Sequence, residues 1–115
     1  MAIVIQCSNP AGLLADLRRG ISQGTIRTWE ETEKDLFTHT PKQWNREAWF
    51  TPKILRDGIA FGILKRKDRD LTREIYGIYH GRFTEELIIH LSRYFDHTGV
   101  SSELDSDYDG PSKLV

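Results

Sequence analysis

The stretch Tyr79-His80-Gly81-Arg82-Phe83 sets an imidazole and a guanidinium on either side of a glycine. A glycine where a strand meets a helix lets backbone N–H groups converge on an anion. Arg82 would add charge there, and His80 could move a proton. His39, in the stretch Thr38-His39-Thr40-Pro41, is the other histidine that can approach such a site. Two carboxylates, Glu85 and Glu86, follow immediately and repel an anion from the same helix start. The competing reading is a tight turn in which Tyr79 and Phe83 pack inward and Arg82 pairs with a carboxylate.

Other chemistry is thinly represented. The sequence holds no glycine-rich phosphate loop, no CxxC, no HExxH and no GxSxG turn. Glu30, Glu31, Glu33 and Asp35 fall in one short stretch and make an acid/base pair only if two of them face each other across a cleft. Residues Asp105 to Gly110 match the opening half of an EF-hand calcium loop. Pro111 then takes the seventh position and Val115 the eleventh, and the bidentate glutamate of the twelfth is lacking. Glu86, His90, Arg93 and His97 recur at spacings of four, three and four, which reads as the wet face of a helix. No metal or other cofactor is expected.

The elements that would position these groups follow from punctuation and periodicity. Asn9 or Ser8 caps a helix that has Pro10 at its first position and Leu13, Leu14, Leu17 and Ile21 at helical spacing, so a helix is predicted over about 10–22. Gly24 stands where a helix stops, and Thr25 to Trp29 favour extended chain. Two extended pieces around Glu33 and Lys34 form a hairpin, with a helix started by Thr28 as its rival. Thr40, Pro41 and Gln43 start a short helix that runs to about Ala48. Asp57-Gly58 makes a two-residue hairpin turn that pairs Arg56 with Ile59, Ile54 with Phe61 and Pro52 with Ile63. The opposite sheet face then carries Leu55, Leu64 and Trp49 among small residues, a shallow surface for a partner or a second copy. Arg73 to His80 reads as a further strand, and a last helix follows, capped by Thr84 and buried through Leu87, Ile88, Leu91, Tyr94 and Phe95.

The segment Gly20 to Glu30 also resembles the turn and recognition helix of helix-turn-helix regulators, over residues 13–30. Gly20 would be the turn glycine, Ile21 and Ile26 would be core residues, and Trp29 would anchor the second helix. That resemblance implies a DNA-binding regulator whose Gln23, Thr25 and Arg27 face the major groove. Asp16 and Arg19 stand where that family usually has apolar or small residues.

The 115 residues fit one domain able to bury about two-thirds of its unfolded surface. At 38% hydrophobic and 29% charged, with no apolar run near the ~20 residues of a membrane span, the chain reads as soluble. Ala2 to Ile5 are too short an apolar run for a secretory leader, and a single cysteine, Cys7, suits a reducing compartment, so the cytoplasm is expected. A net charge of -1 gives no general attraction to nucleic acid. The predicted class is α+β: an antiparallel β-meander of four or five strands with an N-terminal and a C-terminal helix on one face, in two layers. Residues 1–98 form the domain, and residues 99–115 form a flexible acidic tail. The expected function is a non-enzymatic binding module for an unidentified protein partner or a second copy of itself. The alternatives are the DNA-binding regulator and a small enzyme or anion-binding protein built on His80, Arg82 and His39.

Overall fold

The first helix forms where its capping signals place it. In the computed structural model, which describes residues 2–100 and the backbone of residues 110–111, α1 spans Pro10–Gln23. The Asn9 side chain accepts the Gly12 N–H at 3.0 Å, and Gly24 ends the helix in the left-handed region at φ 81°. Leu13 and Leu17 are its buried stripe.

A strand precedes this helix. β1 (Ala2–Gln6) is followed by α1 and then by a four-strand meander: β2 (Trp29–Glu33), β3 (Leu36–His39), β4 (Ala48–Leu55) and β5 (Gly58–Lys65). Next come α2 (Arg73–Leu91), a single 3-10 turn (Ser92–Tyr94) and β6 (Thr98–Val100). Along the antiparallel sheet the order is β2-β3-β4-β5-β1-β6, so the first strand lies inside the sheet. A two-residue β7 (Gly110–Pro111) pairs parallel with Leu64 and Lys65 at the end of β5. The chain is thus an α+β protein with a mainly antiparallel sheet and two helices. β6 carries the sheet beyond residue 98, and the EF-hand-like residues 105–109 lie outside the described residues.

Three local expectations are corrected. Residues 41–47 form turns rather than a short helix, and Arg46 takes a positive φ of 59°. Arg73 to His80 is the first half of α2, not a strand. The β4–β5 hairpin turns on Arg56-Asp57, pairing Leu55 with Gly58, Ile54 with Ile59 and Pro52 with Phe61. A two-residue shift of register keeps every side chain on its predicted face. Gly58 serves a different purpose from the one expected: a Cβ there would lie 1.9 Å from the Ile5 carbonyl oxygen, so glycine is what lets β1 approach.

One core joins the layers. Ile3, Ile5, Phe37, Phe50, Ile59, Phe61 and Ile63 share a sheet face and cluster with Leu13 and Leu17 of α1 and with Tyr79, Phe83, Leu87 and Leu91 of α2. Trp49 and Ala60 are buried but outside this cluster, on the other sheet face. Both helices therefore pack on one side.

Candidate interaction face

The structure disperses the residues first expected to act together. The stretch from Tyr79 to Phe83 lies in the middle of α2, so it is no strand-to-helix junction and has no free helix N-terminus for an anion. The true N-cap is Thr72, which accepts the Ile75 N–H at 3.1 Å. Thr84 caps nothing, and its buried hydroxyl has no hydrogen-bond partner among the described residues. His80 is turned into the core and is only 3% exposed. Its Nδ1 donates to the Tyr76 carbonyl at 2.8 Å, and its ring stacks on Tyr76 and meets Phe50 edge-on. Arg82 points away into solvent.

His39 is a second core histidine. Its Nδ1 donates to the Thr28 carbonyl at 2.7 Å, and its ring lies 4.6 Å from that of Trp29. Burial lowers its pKa below the usual imidazole value, although the bond to Thr28 works in the opposite direction. The nearby charges acting on it are Arg82 and Glu85 of α2. Arg82 therefore acts on His39 only through its charge, while His80 faces Phe50 and Tyr76. Tyr79 completes the inner face of α2: its hydroxyl donates to the Trp44 carbonyl and lies 3.1 Å from Thr38 Oγ1, and burial raises its pKa.

The acidic hairpin is committed elsewhere. Arg18 of α1 reaches across to Glu31, with Nη2 at 3.0 Å, and also contacts Asp35, while Glu31 accepts the Asp35 N–H at 2.7 Å. Glu31 and Asp35 thus pin the β2–β3 turn, where Asp35 has φ 65°, and do not face each other across a cleft. Gln23, Thr25 and Arg27 fare no better as a reading surface. Gln23 ends α1, and residues 24–28 form a turn and loop leading into β2, so the recognition helix of a helix-turn-helix is not present. Ile26 folds back instead, its N–H and that of Thr25 both bonding the Gly20 carbonyl at 3.0 Å.

The sheet face around Trp49 also differs from expectation. It has the predicted members, and the helices leave it uncovered. Trp49, however, is 1% exposed, with its indole N–H donated to Thr32 Oγ1 at 3.1 Å, and Leu55 and Leu64 are half-buried. Trp49 is a packed residue rather than an accessible anchor. An open cleft of about 440 Å³ at the start of α2 is lined by Trp44, Ile75, Glu47, Arg69, Asp70 and Glu74, among others. Its carboxylates outnumber its one guanidinium, which Glu47 already holds at 3.0 Å, so the cleft does not suit an anion.

The accessible apolar surface lies on the outward side of α2. Phe83 and Leu87 are fully buried, whereas Ile88, expected in the core, and Ile89 are 54% and 62% exposed. Gly77 and Gly81 are also on the outer side: a Cβ added to either would meet no described atom within 4 Å. Ile78, between them in sequence, is half-buried. A single-layer surface helix normally turns polar residues outward. The sequence pattern alone favours Ile88 as a buried residue and gives Ile89 no part, because an isoleucine pair allows either member to face inward. The chain matches no family model, no curated protein and no solved structure.

Proposed function

We propose that this protein is a small non-enzymatic interaction module that binds through the outer face of α2. The observation that carries this reading is the pair of exposed isoleucines, Ile88 and Ile89, on a helix whose inner stripe is already satisfied by the core. Exposed apolar side chains grouped on one rigid element are what an interface provides. Support for a role other than catalysis comes from the histidines, since His39 and His80 are shielded from substrate at 4% and 3% exposure and each binds a carbonyl through Nδ1. The cytoplasm remains the compartment that fits best, given a single free cysteine whose thiol burial holds in its protonated form. Among the described residues, no helix is long and apolar enough to cross a membrane.

A photo-crosslinking side chain placed at position 89, compared with one at Ala11 on the outer side of α1, tests the reading. Adducts from position 89 and not from position 11, formed in the cells that make the protein, are the expected result. Equal labelling at the two positions, or none at position 89, would overturn it.

A further inference from the structure

We infer that the outer face of α2 binds a second copy of this chain, with the two α2 helices antiparallel about a two-fold axis. This rests on the interaction reading above and adds to it the partner and the register. Ile78, Arg82, Glu85 and Ile89 are spaced by four, three and four residues, so they form one stripe along the helix, opposite the buried stripe of Tyr76, Phe83 and Leu87. Arg82, Glu85 and Ile89 are exposed. Neither Arg82 nor Glu85 forms an ion pair with another described residue, so both charges are available to a partner.

The order of the stripe makes it its own complement. Read from the opposite direction, isoleucine, arginine, glutamate, isoleucine becomes isoleucine, glutamate, arginine, isoleucine, with the same spacings. When two copies lie antiparallel and centred between Phe83 and Thr84, Ile78 meets the partner's Ile89, and Arg82 meets the partner's Glu85. The two-fold axis repeats both pairs. Such reciprocity is what an isologous interface requires, each residue contacting a residue that is contacted in return. A parallel pairing would instead set Arg82 beside Arg82 and Glu85 beside Glu85, which like charges oppose. The apolar ends bury the isoleucine exposed in one copy, and the charged centre fixes direction and register. An unrelated partner would need neither the matched spacing nor the opposite charges.

Sedimentation equilibrium on the full chain, three single variants and one double variant tests this. The wild-type chain is expected to sediment at twice its 13.3 kDa mass at micromolar concentration. Ile89→Glu should be monomeric, with an unfolding midpoint matching that of the wild-type chain diluted until it dissociates, since its side chain lies in solvent in the single copy. Arg82→Glu and Glu85→Arg should each weaken association by about tenfold or more, because each converts two attractive contacts into two repulsive ones. Combining Arg82→Glu with Glu85→Arg should restore association to within a few-fold of wild type, which no purely structural role of either residue explains. A chain that stays monomeric throughout the range overturns the inference, and adducts of position 89 with another protein would then leave the interaction reading standing. A dimer indifferent to all three substitutions also overturns it, by placing the interface on another face.

Discussion

The two helices pack on the same sheet face but have different jobs, and the contrast separates what stabilises this fold from what it can offer a partner. α1 buries only leucines, Leu13 and Leu17, and turns Ala11, Ala15, Arg19, Ser22 and Gln23 to solvent. Its Arg18 is spent on the β2–β3 turn, and its Asp16 on Arg19, Arg93 and Tyr94. α2 buries aromatic and polar residues, Tyr76, Tyr79, His80 and Phe83, and turns isoleucines to solvent. One helix buries its apolar stripe and turns small and polar side chains to solvent. The other has a full inner face and an unsatisfied outer one.

Truncating the inner faces should show the largest effect. Phe83, fully buried against Trp29, Phe50 and Phe61, is expected to cost about 3–5 kcal/mol as Phe83→Ala, and Leu17→Ala on α1 about 2–5 kcal/mol. Ile89→Ser should change urea stability of the single copy by less than about 0.5 kcal/mol, as a surface substitution does. A cost at position 89 comparable to that at Phe83 would erase the distinction between the two sides of α2. Next in size is Tyr79→Phe, which removes the donor to the Trp44 carbonyl and should cost about 1–3 kcal/mol in the same measurement. Because α1 buries no hydrogen-bonding side chain, it has no counterpart to this loss.

The same contrast explains what the sequence disclosed. α1 was legible to within a residue at its end because Asn9, Pro10 and Gly24 punctuate a pattern with one apolar face. α2 was split into a strand and a helix, since Ile75, Tyr76, Ile78 and Tyr79 have strand-forming character and a helix apolar on both sides shows no period of 3.6. Thr84, Glu85 and Glu86 then imitated a helix start in its interior. β1 was hidden for a related reason: Val4, on the face opposite Ile3 and Ile5, is itself half-buried, so the strand reads as a brief continuous apolar run rather than as an alternation. The hairpins were legible, and the parity of the β4–β5 faces survived a misplaced turn. Of the site residues, Arg82 keeps a role in the proposed face, while His80 and His39 turned out to be core. The burial of His80 depends on how α2 is rotated about its axis and that of His39 on which side of β3 it takes, and local sequence specifies neither.

His39 gives a smaller effect that links α2 to the sheet beneath it. Burial depresses its folded pKa, and Arg82 adds to the depression, while Glu85 and the Thr28 carbonyl oppose it. The unfolded chain therefore binds this proton more readily than the folded one. Stability should rise with pH from the folded pKa up to about 6.5, the unfolded value, and gain nothing further from His39 above it. Urea midpoints at mildly acidic and neutral pH should thus differ more for the wild-type chain than for His39→Gln. Equal pH slopes in the two proteins would show that the imidazole is not buried as described.

Replacing a helical glycine by alanine should have opposite signs in the two helices. Gly81 in α2 has open space where a Cβ would stand, so Gly81→Ala adds helix propensity without a clash and should raise stability by about 0.5–1 kcal/mol. Gly20 in α1 lies under Ile26, whose Cδ1 would be 2.8 Å from the new Cβ. Although that methyl is the end of a side chain, Ile26 is 2% exposed and packed in the core, so it has little room to yield. Gly20→Ala should therefore forfeit the propensity gain and lower stability, by as much as the ~1–3 kcal/mol that overpacking costs. Thermal unfolding of the two variants decides the matter. If both alanines stabilise, the loop after α1 is looser than the contact with Ile26 implies; if Gly81→Ala destabilises, the outer side of α2 is already covered in the single copy, and a face already covered cannot receive a partner.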